Sequence, residues 1–199
     1  RPTPFVAVKL VEFPSDDLKL ESLRMEIEVR EKVKGMGVVD EFIGCVEERG
    51  RVFLVLQQMF GDLRSQHGKT SLMNLSKSDR FFLYASLAEK VGLLHSLGII
   101  HEDLKPENLM LVNEEASDLR IVDFGNAVPP GETRLGGSVH FDAPEKSRQF
   151  FKPASLKHDV YALGMTLAAV EADKSEIFDL VPLKCLRRAK TSKCATQIL

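Results

Sequence analysis

The stretch His101-Glu102-Asp103-Leu104-Lys105-Pro106-Glu107-Asn108, followed by Asp123-Phe124-Gly125, decides how this chain is read. It sets out an acid, a lysine two residues on, an amide three beyond that, and a second acid after a short intervening segment. Asp103 is suited to accept a proton, Lys105 to neutralise a migrating anion, and Asn108 with Asp123 to hold a hard divalent cation through oxygen.

Phosphoryl transfer uses this set of groups, because its catalysis is largely positioning and charge stabilisation. The flanking residues fit. Val6-Ala7-Val8-Lys9 places a lysine within an apolar, strand-like stretch, and Met25-Glu26-Ile27-Glu28-Val29 reads as a helix carrying acids. Ala143-Pro144-Glu145 and Asp159-Val160-Tyr161-Ala162-Leu163-Gly164 follow downstream. In these residues and in their order the chain resembles the eukaryotic-type protein kinase family, of the serine/threonine kind.

The resemblance implies an α+β, two-lobed fold. Residues 1–59 would form a partial small lobe with its third strand, its helix and the hinge. Residues 60–199 would form a partial large lobe with the catalytic loop, the activation segment and a basic tail. It implies ATP and Mg²⁺ as cofactors, with Lys9 gripping the nucleotide phosphates and Glu26 pairing with it. Glu28 stays open as the alternative acid. Asn108 and Asp123 would hold the metal, and Asp103 with Lys105 would promote transfer. Ala7 and Met110 would sandwich adenine, Leu56 would back the pocket, and the main chain from Gln57 to Met59 would bond the base.

The activity so implied is transfer of the γ-phosphate of ATP to serine or threonine hydroxyls of protein substrates. The competing reading, from a different class, is a catalytically inactive kinase-like binding or scaffold module; a small-molecule phosphotransferase is a third. Four departures from the family pattern motivate the inactive module. No glycine occurs in the eight residues before Lys9, and the chain stops at Leu199, so the resemblance implies a domain truncated at both ends. Glu102 stands where the family has arginine, which argues against activation through a phosphate at that point. Arg30, four residues after Glu26, stands where an apolar residue is usual. Thr133 and Ser138 are the hydroxyl residues between Asp123 and Glu145; Ser138 matches a position that contacts the catalytic acid, and Thr133 reads as plain loop, with a phosphosite as the alternative.

Composition sets outer limits. With 199 residues and 44% hydrophobic content the chain can bury a real core. A net charge of −2 and pI near 6.3 give no reason to expect nucleic acid or an anionic membrane as partner. Three widely spaced cysteines, Cys45, Cys185 and Cys194, fit neither a disulfide framework nor a zinc site. With no visible leader and no apolar run of spanning length, an intracellular, cytoplasmic protein is expected. His101 and His140 read as structural, and Lys184, Arg187, Arg188, Lys190 and Lys193 as a solvated basic end. Nothing in the sequence sets the oligomeric state.

Residue patterns predict the elements. Phe5 to Val11 reads as a strand, and Met25, Val29, Val33 and Met36 mark an amphipathic helix over 18–34. Phe42 to Glu47 and Arg51 to Gln57 read as a hairpin turning at Arg49-Gly50. Ser76 to Asp79 opens a helix whose Leu83, Leu87, Val91 and Leu94 share a face, ending at Gly98. Met110 to Val112 and Arg120 to Val122 are expected as a short hairpin.

Overall fold

A computed structural model describes residues 5–12, 17–49, 51–133, 138, 140–147 and 153–172. The expected basic end, with Cys185 and Cys194, lies outside the described residues.

The small lobe is a three-stranded antiparallel sheet with one helix. Strands β1 (Val6–Glu12), β2 (Phe42–Glu48) and β3 (Arg51–Gln57) pair in the order β1-β3-β2. Alternation along β3 sends Val52, Leu54 and Leu56 to one face, where Leu23 of helix α1 (Asp17–Lys32) packs against them. The register places Ala7 opposite Leu56 and Lys9 opposite Leu54. Helix α1 ends in a turn in which Gly35 and Gly37 take φ of 74° and 68°, values that side chains resist. The chain then leaves α1 through Val38 and Val39, which bind the large lobe: the Ile121 N–H donates to the Val38 carbonyl at 3.0 Å.

The large lobe is built on helices. Helix α2 (Gln66–Asn74) starts on Ser65, whose hydroxyl accepts from the Gly68 N–H at 3.1 Å. Helix α3 (Lys77–Ser96) is capped by Ser76, which accepts from the Asp79 N–H and donates to its carboxylate. Leu83, Leu87, Val91 and Leu94 are its buried face, as their spacing predicts, and Gly98 at φ 71° turns the chain away. Arg80 and Tyr84 of α3 both bond Glu171, at the end of helix α5 (Leu156–Glu171). Helix α4 (Pro144–Ser147) is a single turn.

A second sheet, β4 (Gly61–Asp62), β5 (Leu109–Leu111) and β6 (Leu119–Ile121), pairs in chain order. The hairpin lies one residue earlier than the sequence suggests. The 3₁₀ turn Pro106–Asn108 delivers the chain directly into Leu109, so that Leu109, Leu111, Leu119 and Ile121 all enter the core. Val112 still accepts ladder geometry, its N–H donating to the Asp118 carbonyl at 3.1 Å. Strand β4 and helix α2 have no counterpart in the sequence reading: two residues are too few for a period, and α2 buries only Gly68, Ser71 and Leu72. Among the described residues no helix is long and apolar enough to cross a membrane.

Candidate active site

The loop from His101 to Asn108 is held from beneath. Asp159, fully buried on α5, accepts the backbone N–H of His101 at 2.8 Å and of Glu102 at 2.9 Å, one on each oxygen. His95 of α3 contacts the same carboxylate at 2.9 Å. The His101 ring packs edge-on to Phe124 and bonds the Val122 carbonyl through Nε2 at 3.0 Å. The Asp103 N–H faces Nδ1 of that ring at 3.3 Å, which sets the proton on Nε2. This histidine is structural, as the sequence suggests.

Upon this base the loop presents its polar groups. Asp103 is 7% exposed, and its Oδ2 accepts from Lys105 at 2.6 Å and from the Asn108 amide at 3.3 Å. The same amide donates to the Asp103 carbonyl at 2.8 Å. The second carboxylate oxygen, Oδ1, is buried with no hydrogen-bond partner among the described residues. Lys105 also donates to Ser138 Oγ at 3.0 Å, tying the activation segment to the loop. Ser138, Phe141 and Asp142 line a small cavity beside Asp103.

A second cluster forms across the lobes. Lys9 Nζ lies 2.7 Å from Glu26 and 3.0 Å from Asp123. Glu28 is exposed, so Glu26 is the acid that meets the lysine. Burial disfavours the Lys9 ammonium, but the two carboxylates outweigh it and hold its pKa above the ordinary lysine value. Burial likewise opposes the Asp123 carboxylate, yet Lys9, with help from His101 and Lys105, draws its pKa below the usual range. Asp123 sits at φ 64°, a left-handed conformation costly for a residue with a side chain. The Val122 N–H donates to the Asn108 carbonyl at 3.0 Å, so the two oxygen-bearing residues are tied through their backbones.

The remaining expected residues lie apart from these charges. Ala7 is exposed on β1, and Met110 is half-buried on β5, opposite Asp62. Met59 is buried, and the Gln57 N–H already donates to the Glu41 carbonyl at 2.8 Å. Thr133 and His140 are exposed.

The chain is similar to known proteins along most of its length. The family described as Protein kinase domain matches residues 3–182. The chain belongs to the protein kinase family. Serine/threonine-protein kinase dkf-2 of Caenorhabditis briggsae is 33% identical over 168 residues, covering 80% of this chain and 14% of the relative. Calcium-dependent protein kinase 17 of Arabidopsis thaliana is 31% identical over 157 residues, 74% of this chain and 28% of the relative. Calcium/calmodulin-dependent protein kinase type 1 of Caenorhabditis elegans is 31% identical over 163 residues, 80% of this chain and 46% of the relative. The chain thus spans less than half the length of each of these kinases.

Within this kinase domain both substituted positions are paired. Glu102, at φ 62° and 8% exposed, contacts His158 Nδ1 at 2.8 Å and Lys146 Nζ at 2.8 Å. Lys146 also bonds the Glu102 carbonyl at 2.9 Å and Asp142 at 2.9 Å. Burial raises the cost of the Glu102 charge, but the His158 and Lys146 contacts outweigh it and lower its pKa. Arg30, 2% exposed, pairs with Glu26 at 3.1 Å and Asp40 at 2.5 Å rather than turning outward. Asp40, His158 and Lys146 escaped the sequence reading. Of their contacts only the Asp142–Lys146 spacing, one helical turn, is visible in the chain itself.

The donor chemistry fits Mg²⁺. Asn108 and Asp123 offer hard oxygen, the type this ion prefers. Among the described residues no group of three or more His, Cys, Asp or Glu forms an all-protein cage. Magnesium sites that also carry phosphate need only one or two protein ligands.

Proposed function

We propose that this chain carries out ATP-dependent phosphoryl transfer to serine or threonine hydroxyls of protein substrates. The observation that carries the reading is Asp103: one oxygen fixed by Lys105 and Asn108, the other buried and without a partner among the described residues. An unsatisfied buried acceptor is costly, and a hydroxyl donor arriving from a substrate would satisfy it. Asp103 Oδ1 accepts the proton of the attacking hydroxyl as its oxygen forms the new P–O bond, and the bond from the γ-phosphorus to ADP breaks. Lys105 neutralises charge beside that oxygen, and Lys9, oriented by Glu26, holds the nucleotide phosphates. Asn108 and Asp123 would hold Mg²⁺, which supplies charge neutralisation at the phosphates. Ala7 and Met110 would flank adenine, with main-chain groups of Gln57 and Met59 along its edge. Dependence on ATP accords with an intracellular, cytoplasmic location.

The inactive-module alternative drew on four departures, and the pairing of Glu102 and Arg30 answers two of them in favour of the enzyme. Purified chain incubated with Mg²⁺, labelled ATP and a generic protein substrate should give labelled serine or threonine. Asp103→Ala should lower kcat by about 10² to 10⁴ while ATP affinity stays within threefold. Label appearing on a small alcohol in preference to protein would favour the phosphotransferase; no label at all in the parent would leave the scaffold reading standing.

A further inference from the structure

Charged side chains from both lobes join into a chain of ion pairs that the backbone closes into a ring. Asp123 meets Lys9 at 3.0 Å, Lys9 meets Glu26 at 2.7 Å, and Glu26 meets Arg30 at 3.1 Å. Arg30 Nη1 then donates to Asp40 Oδ1 at 2.5 Å and contacts the Asp40 carbonyl at 3.3 Å. From Asp40 the ring returns through the backbone. Val38 and Val39, immediately before it, bond Ile121 of β6, and Asp123 lies two residues beyond Ile121. From Asp123 through Lys9, Glu26 and Arg30 to Asp40 the charges alternate in sign, and the backbone return joins the two acidic ends.

Burial makes this arrangement expensive. The side chains of Glu26, Arg30 and Asp40 are 3%, 1% and 5% exposed, and Arg30 Nε has no partner among the described residues. Ion pairs in such surroundings seldom add net stability over apolar residues of similar size. What they supply is a single geometry, since any displacement strands a charge in low dielectric. Glu26 illustrates it: Oε1 faces Arg30 and Oε2 faces Lys9, so both oxygens are committed.

We propose that Arg30 and Asp40 are positioning residues, a polar latch that fixes α1 against the 38–40 segment and thereby holds Glu26, and through it Lys9, where nucleotide phosphates bind. The latch rests on the ATP-binding reading above, and it places the control of Lys9 within the chain. Asp40→Asn removes one charge at nearly constant shape. Arg30 is then left with Glu26 as its one carboxylate in the ring and draws it from Lys9.

A double-mutant cycle on ATP affinity, measured by calorimetry with Mg²⁺, tests this. Asp40→Asn should weaken ATP binding about tenfold in the parent and leave it unchanged in a Lys9→Met background, because the effect travels through Lys9. Asp40→Glu, which keeps the charge, should stay within threefold of the parent. Arg30→Lys provides a second variant, with the same dependence on Lys9. In the nucleotide-free chain, amide exchange should quicken over α1 in Asp40→Asn and remain unchanged over α3. Equal losses in both backgrounds would mean a general structural role and overturn the latch, as would unchanged affinity or unchanged α1 exchange. A parent that binds no ATP would instead overturn the proposed function, while the exchange measurement would still decide the latch.

Discussion

Lys9 and Asp123 stand 114 residues apart in the chain, and their charged groups meet at 3.0 Å. One comes from a strand of the small lobe and the other follows a strand of the large lobe, so this contact joins the two lobes. Lys9 is also the residue that links Glu26, and with it α1, to Asp123.

From that contact, Asp123→Asn should abolish Mg²⁺-dependent thermal stabilisation by ATP. In the parent, nucleotide at a hundred times its Kd should contribute about 2.7 kcal/mol, read as a rise in Tm. An equal rise in the variant would remove Asp123 from the metal site.

Glu102 is buried and Lys146 half-buried, and Lys146→Met should cost about 1–3 kcal/mol in denaturant unfolding, because Glu102 loses its lysine while keeping His158. Leucine at both positions would be expected to recover much of that loss.

Acid should weaken the same cluster. The folded pKa of Glu102 lies below its ordinary 4.5, so its contribution is complete above that value and is lost as pH falls through the folded one. Lys146 is raised above 10.5, so its share is complete below that pH and fades as pH climbs through the folded value. Unfolding free energies from pH 3 to 7 should therefore fall on the acid side in the parent and be flatter in Glu102→Gln.

Two glycines should respond in opposite directions. A Cβ on Gly68 would lie 2.1 Å from the Asp62 carbonyl oxygen, which is backbone and cannot swing aside; Gly68→Ala should destabilise by about 1–3 kcal/mol. Gly92, toward the C-terminal end of α3, has nothing within 4 Å of such an atom, and Gly92→Ala should stabilise by about 0.5–1 kcal/mol. Thermal melts of the two variants, side by side, give the comparison.

Much of the scaffold was legible in advance because periodicity is local. Leu83, Leu87, Val91 and Leu94 announce α3, and the alternation of β3 is written in Val52, Leu54 and Leu56. Strand β4 and helix α2 were hidden, since a two-residue strand and a helix with few apolar groups carry no periodic signal. Within the site, Asp103, Lys105, Asn108 and Asp123 were readable from their spacing. The choice between Glu26 and Glu28 was not, because both lie on one charged helix and only the sheet's position tells which of them faces Lys9.

By itself, then, the sequence determined the family, the lobe order and the loop that carries the candidate chemistry, all of which depend on residues close together in the chain. Tertiary structure alone decided the fate of the unusual charges. Arg30 is stable inside because Asp40 lies beside it, and Glu102 because Lys146 and His158 reach it from other helices. The reason is physical: the cost of a buried charge is set by what surrounds it in space, and spacing along the chain does not record those neighbours.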